Sequence, residues 1–443
     1  MIYWCHYDME RDNMNIIRLY VDGFKNVDQV NLRIDKMTAL LSPNNYGKSN
    51  VLRALEFGFR FMTAGQSDKS RMMGYKNAFP MNHNHDKSHF TFEIELENSH
   101  EGKHYHMTYS YSFQWRMMAK NKSGVTHESL AIRNMADSHK PSSYITRRDG
   151  KAFYKPSPTA RCDKSVIIDS DQLVLNKLEA LDDLFYLNYA IKPLNTASFY
   201  LDRHFDSVPS YEISPIVIKG NDDLSLDSDS EIPRVLFRLK QDHSDKFELI
   251  TNTIINMFPF IRSIEIREHV LGQDEIPGKL SDDAPFVFAD RIYTLFATHK
   301  NIRVPINFSQ LSDGVRRVLL LLTHIVLAEI NHVVLIGIEE PENSINPGLL
   351  KKYIIALDNF TDTSKIIITS HSPFLVNYID PHDLYLGVPT EDGIARFQRI
   401  EKSSVKKLYN EADDLDMSFG EYLFDLLSGS EDDYKTLGRY FRT

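Results

Sequence analysis

Apolar and polar positions along the chain recur with two different periods, and the changes of period divide it. Ile16, Ile17, Leu19 and Val21 precede Asp22-Gly23, and a second apolar run fills residues 37–41, so residues 15–41 predict two strands separated by a turn. A breaker-rich loop follows, Ser42-Pro43-Asn44-Asn45-Tyr46-Gly47-Lys48-Ser49. Beyond it Val51, Leu52, Leu55 and Phe59 recur at helical spacing, so the loop joins a buried strand to a helix N-terminus. From about 90 to 114 the pattern alternates through Phe90, Phe92, Ile94 and Leu96, then Tyr105, Met107, Tyr109, Tyr111 and Phe113, which predicts an antiparallel hairpin turning near 99–102. Helical periodicity returns over about 171–197 and 242–257, Pro259 stops the second helix, and 261–266 reads as a strand. The last third predicts a helix after Gly314, an apolar strand over 333–338, a helix over 349–357 and a second apolar strand over 366–369. Fully apolar strands flanking a helix argue for a parallel α/β sheet. No internal repeat or sustained heptad pattern is visible.

Composition narrows the class. The 443 residues allow about three folding units on a prior of ~150 residues each. With 42% hydrophobic and 25% charged residues the chain is neither disordered nor fibrous. Cys5 and Cys162 lie outside any CxxC or CxxH spacing, and no run reaches the ~18 apolar residues of a membrane span, so the expectation is a cytoplasmic protein without membrane contact. Residues 1–13 mix aromatic and charged positions and read as an N-terminal extension. The net charge of −10 disfavours a nucleic-acid coat over the whole surface, yet it is unevenly spread. Residues 116–164 hold eleven Lys/Arg against four Asp/Glu, whereas 411–433 hold nine acids and no Lys/Arg.

Four segments carry candidate chemistry. The loop at 42–49 nearly fits GxxxxGK[ST], with Ser42 in place of the first glycine and Gly47-Lys48-Ser49 intact. Such a loop turns backbone N–H groups toward phosphate oxygens, the lysine reaches the β and γ phosphates, and the hydroxyl ligates Mg²⁺. The run Val333-Val334-Leu335-Ile336-Gly337-Ile338 ends in Glu339-Glu340-Pro341-Glu342, and buried strands seldom end in adjacent carboxylates unless these meet a cation or do chemistry. Strand alternation sends Glu339 and Glu340 opposite ways, which divides their tasks: Glu339 orients the Mg²⁺ shell and Glu340 polarises the attacking water as general base. His371 follows the strand over 366–369, where open α/β sheets bind ligands. Leu311-Ser312-Asp313-Gly314 precedes a helix that Ser312 or Asp313 caps.

In order and spacing these segments resemble the Walker A, signature, Walker B and H-loop motifs of ABC-type ATPases. Asp22-Gly23-Phe24-Lys25-Asn26-Val27 and the block 339–347, from Glu339 to Pro347, resemble the SMC/RecF/OLD-like branch of AAA-family ATPases. The succession of helix, Phe258-Pro259-Phe260, strand and signature is similar to stand-alone ATPases of bacterial anti-phage systems of the Septu/PARIS-like kind. The resemblance implies that Lys25, Asn44, Asn45, Tyr46, Gly47, Lys48, Ser49 and Asn50 hold ATP, with Ser49 and Glu339 on Mg²⁺. It implies further that Ser312, Asp313 and Gly314 touch nucleotide on a second protomer, that Glu340, His371 and Lys48 are catalytic, and that Asn346 lies at the dimer seam. Departures are Asp313-Gly314-Val315 for Gly-Gly-Gln and Asn346 where OLD-like proteins often have histidine; Gln66 is a weak Q-loop candidate.

The expected architecture is an α/β ABC-type P-loop NTPase head, a mixed sheet with helices plus an antiparallel β lobe, interrupted by a largely α-helical insertion. Its parts are 14–115 and 291–400 as the split head, 116–290 as the insertion and 401–443 as an acidic helical tail. About 260 residues without heptads separate Walker A from the signature, and 72 residues follow His371, which predicts neither coiled-coil arms nor a Toprim nuclease. The expected function is a dimerising, Mg-dependent ATPase that senses or regulates for a separate nuclease or toxin effector in anti-phage defence. The alternatives are a DNA repair ATPase and a nucleotide-gated scaffold with little turnover. The basic segment 116–164, with Trp115, Tyr144 and Phe153 interleaved, is a candidate surface for DNA or an acidic phage protein. His83, His85, His89, His100, His104 and His106 match no closed zinc ligand set, and Asp413-Asp414-Leu415-Asp416 reads as a solvated acidic segment before a metal motif.

Overall fold

The computed structural model describes residues 14–80, 88–116, 124–136, 140–148, 150–179, 186–202, 211, 215–220, 224–226, 231–272 and 283–441. The N-terminal 13 residues, His83, His85 and most of the stretch 221–231 lie outside the described residues.

The chain begins with strands β1 (Asn15–Asp22), β2 (Val30–Arg33) and β3 (Met37–Leu41), then helices α1 (Lys48–Thr63) and α2 (Gln66–Met72). The region expected to hold two strands thus holds three, and the first two belong to a different sheet from the third. β4 (His89–His100) and β5 (Lys103–Gln114) form the expected hairpin. It turns through Glu101 and Gly102 at φ of 49° and 72°, the positive pair that matches a two-residue turn to strand twist.

The antiparallel lobe continues past residue 115. β6 (Val125–Asn134), β7 (Ser142–Arg148), β8 (Lys151–Tyr154) and β9 (Lys164–Val166) extend it to eight strands in the order β2-β1-β4-β5-β6-β7-β8-β9. The expectation of a largely helical insertion from 116 is corrected here. Leu130, Ile132, Ile145, Ala152 and Tyr154 fill one face as a strand pattern should, but charged Glu128 and Arg147 share that buried face and register shifts at Phe113 and Ala131 interrupt the alternation. Only after this sheet come α3 (Val174–Glu179), α4 (Asn188–Thr196), β10 (Phe199–Asp202), β11 (Ile216–Ile218), α5 (Ile232–Asp242) and α6 (Ser244–Met257). A ribbon of β12 (Ile261–Val270), β14 (Arg291–His299) and β15 (Ile306–Asn307) follows, with β13 (Phe286–Phe288) paired to β11.

The C-terminal part supplies α7 (Asp313–Ile330), β16 (Leu335–Glu339), α8 (Pro347–Phe360), β17 (Lys365–Ser370), α9 (Pro373–Val376), β18 (Leu384–Gly387) and β19 (Phe397–Arg399). These strands enclose β3 in a six-stranded sheet of order β10-β16-β17-β3-β18-β19, parallel except at β19. Its apolar runs are explained by burial on both faces. Ala39, Leu41, Ile336, Ile338, Ile366 and Ile368 point into a core with α6, α7 and α8, whereas Leu40, Leu335 and Ile367 point into a second core with α1 and the antiparallel sheet. Three helices follow in the described part of the C-terminal segment, α10 (Val405–Asp414), α11 (Phe419–Ser428) and α12 (Glu431–Gly438). They pack Leu408, Leu423, Leu427 and Leu437 into the first core, so they are part of the body. No described helix is long and apolar enough to cross a membrane.

Candidate nucleotide site

The strands β16, β17 and β3 are neighbours and parallel, so their carboxyl ends lie side by side, the position where α/β sheets gather ligands. β3 runs into the loop at 42–47 and α1 starts at Lys48. Gly47, before α1, sits at φ 128°, and a Cβ there would lie 2.6 Å from Ala395 Cβ and 3.0 Å from Asn26 Nδ2, so only glycine fits. Asn45 also has positive φ (60°). The loop is braced by Asn26, whose Nδ2 donates to Tyr46 O at 2.9 Å and whose Oδ1 accepts from Asn50 at 2.8 Å. Lys25, at φ 50°, reaches Asn50 Oδ1 at 3.3 Å.

The Lys48 ammonium is 6% exposed and donates to Ser42 O at 2.7 Å and Pro43 O at 3.3 Å. Burial pulls its pKa down to about 8, against the opposing pull of Glu340 and Glu342. His371 Nδ1 stands 3.4 Å from the same ammonium, and its Nε2 lies 3.5 Å from Glu340 Oε1. Burial, and then Lys48, lowers the His371 pKa, so the ring is neutral near pH 7. Glu340 occupies the left-handed region at φ 48°, with its N–H on Thr369 O and Oε2 accepting from Asn343 at 2.8 Å. Strain of this kind in a non-glycine residue persists where the surroundings over-determine it. Glu339 is 4% exposed, and its Oε1 is buried without a hydrogen-bond partner. A buried carboxylate oxygen left without a donor is costly and fits a cation. Ser49 is the second residue of α1, and its hydroxyl is of the type that joins such a shell.

The structure thus brings Lys48, His371 and Glu340 together with Glu339 beside them on β16. Other expected residues stand differently. The Tyr46 ring is buried against Gly387 and Phe397, and its hydroxyl bonds the Arg396 backbone, so its side chain serves packing. Asn50 is engaged by Asn26 and Lys25, and Asn44 and Asn45 are exposed. Ser312 and Asp313 lie exposed at the start of α7, where Asp313 accepts from Arg316, and they touch none of the groups around Lys48. A Cβ on Gly314 would come within 2.5 Å of Ser344 O, so signature and D-loop backbones are in contact. Asn346 caps α8 through Gly348 N.

Gln66 spends its amide on Asp169, Asp171 and Gln172, which takes it away from the Lys48 loop. The basic segment is less open than its charge implied. Arg147 is 2% exposed and holds Gln172 O and Asp169 O, Lys155 lies buried against Tyr144, and Trp115 is core, donating to Gly23 O. Arg148, Lys151 and Arg161 remain exposed. His106 bonds Glu95, His104 bonds Ser99 and His100 stacks on Tyr189, and among the described residues no cluster of three or more His, Cys, Asp or Glu side chains is placed to hold a metal.

Two contributors escaped the sequence reading. Glu342 Oε1 accepts from Ser370 Oγ (2.7 Å) and His371 N (2.9 Å) and so fixes the histidine, and burial raises its pKa. Asn26 braces the loop; both lie inside quoted motifs, which was the available signal. A buried ion pair, Arg317 to Asp202 at 3.1 Å, ties the signature helix to β10 next to β16.

A family model described as "AAA domain, putative AbiEii toxin, Type IV TA system" matches residues 142–377, just over half of the chain. The match takes in the signature, Walker B and His371 but begins after the Lys48 loop. No curated protein matches the sequence significantly. Among solved structures the chain is similar to an SMC head bound to the C-winged helix domain of ScpA, at 14% identity and TM-score 0.46 over 89% of this chain and 99% of that one. It is also similar to the SMC head domain from Thermotoga maritima, at 13% identity and TM-score 0.40 over 87% and 99%. A third is the Pyrococcus furiosus Smc head with an extended coiled coil, at 13% identity and TM-score 0.44 over 90% and 100%.

Proposed function

The chain belongs to the AAA domain family whose model spans residues 142–377, and from that premise we propose that it binds and hydrolyses ATP as an ABC/SMC-like dimer with composite sites. The observation that carries the reading is the convergence of Lys48, His371 and Glu340, beside the unpaired oxygen of Glu339, at the carboxyl ends of three adjacent parallel strands. Lys48 would leave the carbonyls of Ser42 and Pro43 for the β and γ phosphates, while the N–H groups at the start of α1 face the same oxygens. Ser49 and Glu339 would hold Mg²⁺, which when bound supplies positive charge against the phosphate oxygens. Glu340, steadied by Asn343, takes the proton of the attacking water, and neutral His371 lies between that carboxylate and Lys48, placed to report the γ-phosphate. Ser312, exposed at the start of α7, and Gly314 beside it suit contact with nucleotide on a second protomer.

The family's printed description names a toxin and a Type IV toxin–antitoxin system, which favours a cytoplasmic role in defence, with a separate effector, over DNA repair. The burial of Arg147, Lys155 and Trp115 weakens the repair reading further. The test is ATP turnover in the parent and in Glu340→Gln. Turnover should fall by at least ~100-fold while nucleotide binding persists, and ATP should drive the variant from monomer to dimer in light scattering. A parent that never hydrolyses ATP, with or without added DNA, would leave only a nucleotide-gated scaffold.

A further inference from the structure

A second concavity of about 540 Å³ opens beside α1. On α1 the lining positions Arg53, Phe57 and Arg60 share one face at helical spacing, so the hollow runs along the helix, which rises about 1.5 Å per residue. Four cationic side chains line it: Lys25, Arg53, Arg60 and, at the rim, Arg71. Among the described residues two carboxylates share it, Glu56 and Asp68, and Asp68 is already engaged by Arg71. Arg53 Nε is buried there without a hydrogen-bond partner, a donor that an anion would satisfy. Apolar surface accompanies the charge, with Phe57 in the wall and Tyr75 half exposed at the edge. Cations that fork onto phosphate, next to an aromatic face that accepts a planar ring, match the two halves of a nucleotide.

We propose that this concavity is a second phosphate-binding site, taking a nucleotide unit distinct from the ATP held at Lys48. That unit is either a free mononucleotide or the phosphorylated end of a strand, the two sharing a phosphate and a planar base. The site goes beyond the ATPase reading: it shares Lys25 with the residues expected to hold ATP, but Arg53, Arg60, Arg71 and Tyr75 stand outside the Lys48 cluster.

The test uses the full chain with two fluorescent probes, guanosine 5′-monophosphate and a 5′-phosphorylated tetrathymidylate, in the Lys48→Ala background that removes the loop lysine. At least one probe should bind, and Arg60→Ala with Tyr75→Ala, both surface changes, should weaken it at least tenfold while ATP affinity in an otherwise unchanged chain stays the same. Binding of both probes identifies a free nucleotide as sufficient, and binding of the oligonucleotide alone identifies a strand end. The proposal is overturned if neither probe binds at millimolar concentration, if the double substitution leaves binding unchanged, or if it weakens ATP equally, which would make the hollow part of the ATP site.

Discussion

Raising the pH should weaken ATP binding before any phosphate titrates, because Lys48 is the proton carrier. Its pKa is about 8, against 10.5 for a free lysine, and the cause is burial at 6% exposure. Phosphate binding requires the ammonium, so above pH 8 each bound nucleotide must first restore a proton. One pH unit above the pKa costs about tenfold in affinity, or ~1.4 kcal/mol, so the loss should reach about 30-fold at pH 9.5. The γ-phosphate is fully ionised throughout this range. The assay is titration with a fluorescent ATP analogue from pH 7.0 to 9.5, alongside Lys48→Arg, which keeps its charge and should give a flat profile. A flat parent profile, or an equal slope in the arginine variant, would refute the reasoning. The sign for stability is the reverse. A lysine whose folded pKa lies below its unfolded value opposes folding while charged, so between about 8 and 10.5 the chain should gain stability as pH rises, by up to ~1.4 kcal/mol per unit.

Two further outcomes follow from packing. Gly314→Ala places a Cβ 2.5 Å from Ser344 O, so the D-loop must move; the fold should survive a loss of ~1–3 kcal/mol, but ATP-driven dimerisation of Glu340→Gln should disappear in light scattering, and an unchanged dimer would disprove the role of that contact. Arg317→Met takes from Asp202, 1% exposed, its arginine partner at 3.1 Å and leaves His324 at 3.9 Å; it should cost ~3–5 kcal/mol in urea unfolding, with part of it recovered by Asp202→Asn in the same chain.

The parallel sheet was legible because its strands are buried on both faces, which writes them as unbroken apolar runs such as residues 333–338 and 366–369. The hairpin over 89–114 was legible for the opposite reason, since one face meets solvent and alternation survives. What stayed hidden lies between 125 and 166, where Glu128 and Arg147 fall among the apolar positions of short strands and the stretch read as part of a helical insertion. Charge also overstated the open basic surface there: Arg147 and Lys155 are held inside by carbonyls, a hydroxyl and an aromatic ring, pairings between positions distant in sequence. At the candidate site, Lys48, Glu339, Glu340 and His371 were legible because each follows a strand that predicts its place. Glu342 and the Tyr46 ring were not, because a bond back to Ser370 and His371, or a seat on Gly387, depends on which strand lies next to which.

The position of β3 between β17 and β18 sets the order in which the protein can mature during synthesis. Met37 pairs with Ile366, about 330 residues later, so the strand that leads into the Lys48 loop keeps both edges open until nearly the whole chain has left the ribosome. The antiparallel lobe, made from residues 15–166, can close on its own hydrogen bonds much earlier. A chain halted before residue 365 would therefore carry a folded lobe beside an unpaired apolar strand, a species prone to aggregate and without a nucleotide cradle. The arrangement lets the cradle around Lys48 form only after residues 365–387 have been made, later than the antiparallel lobe.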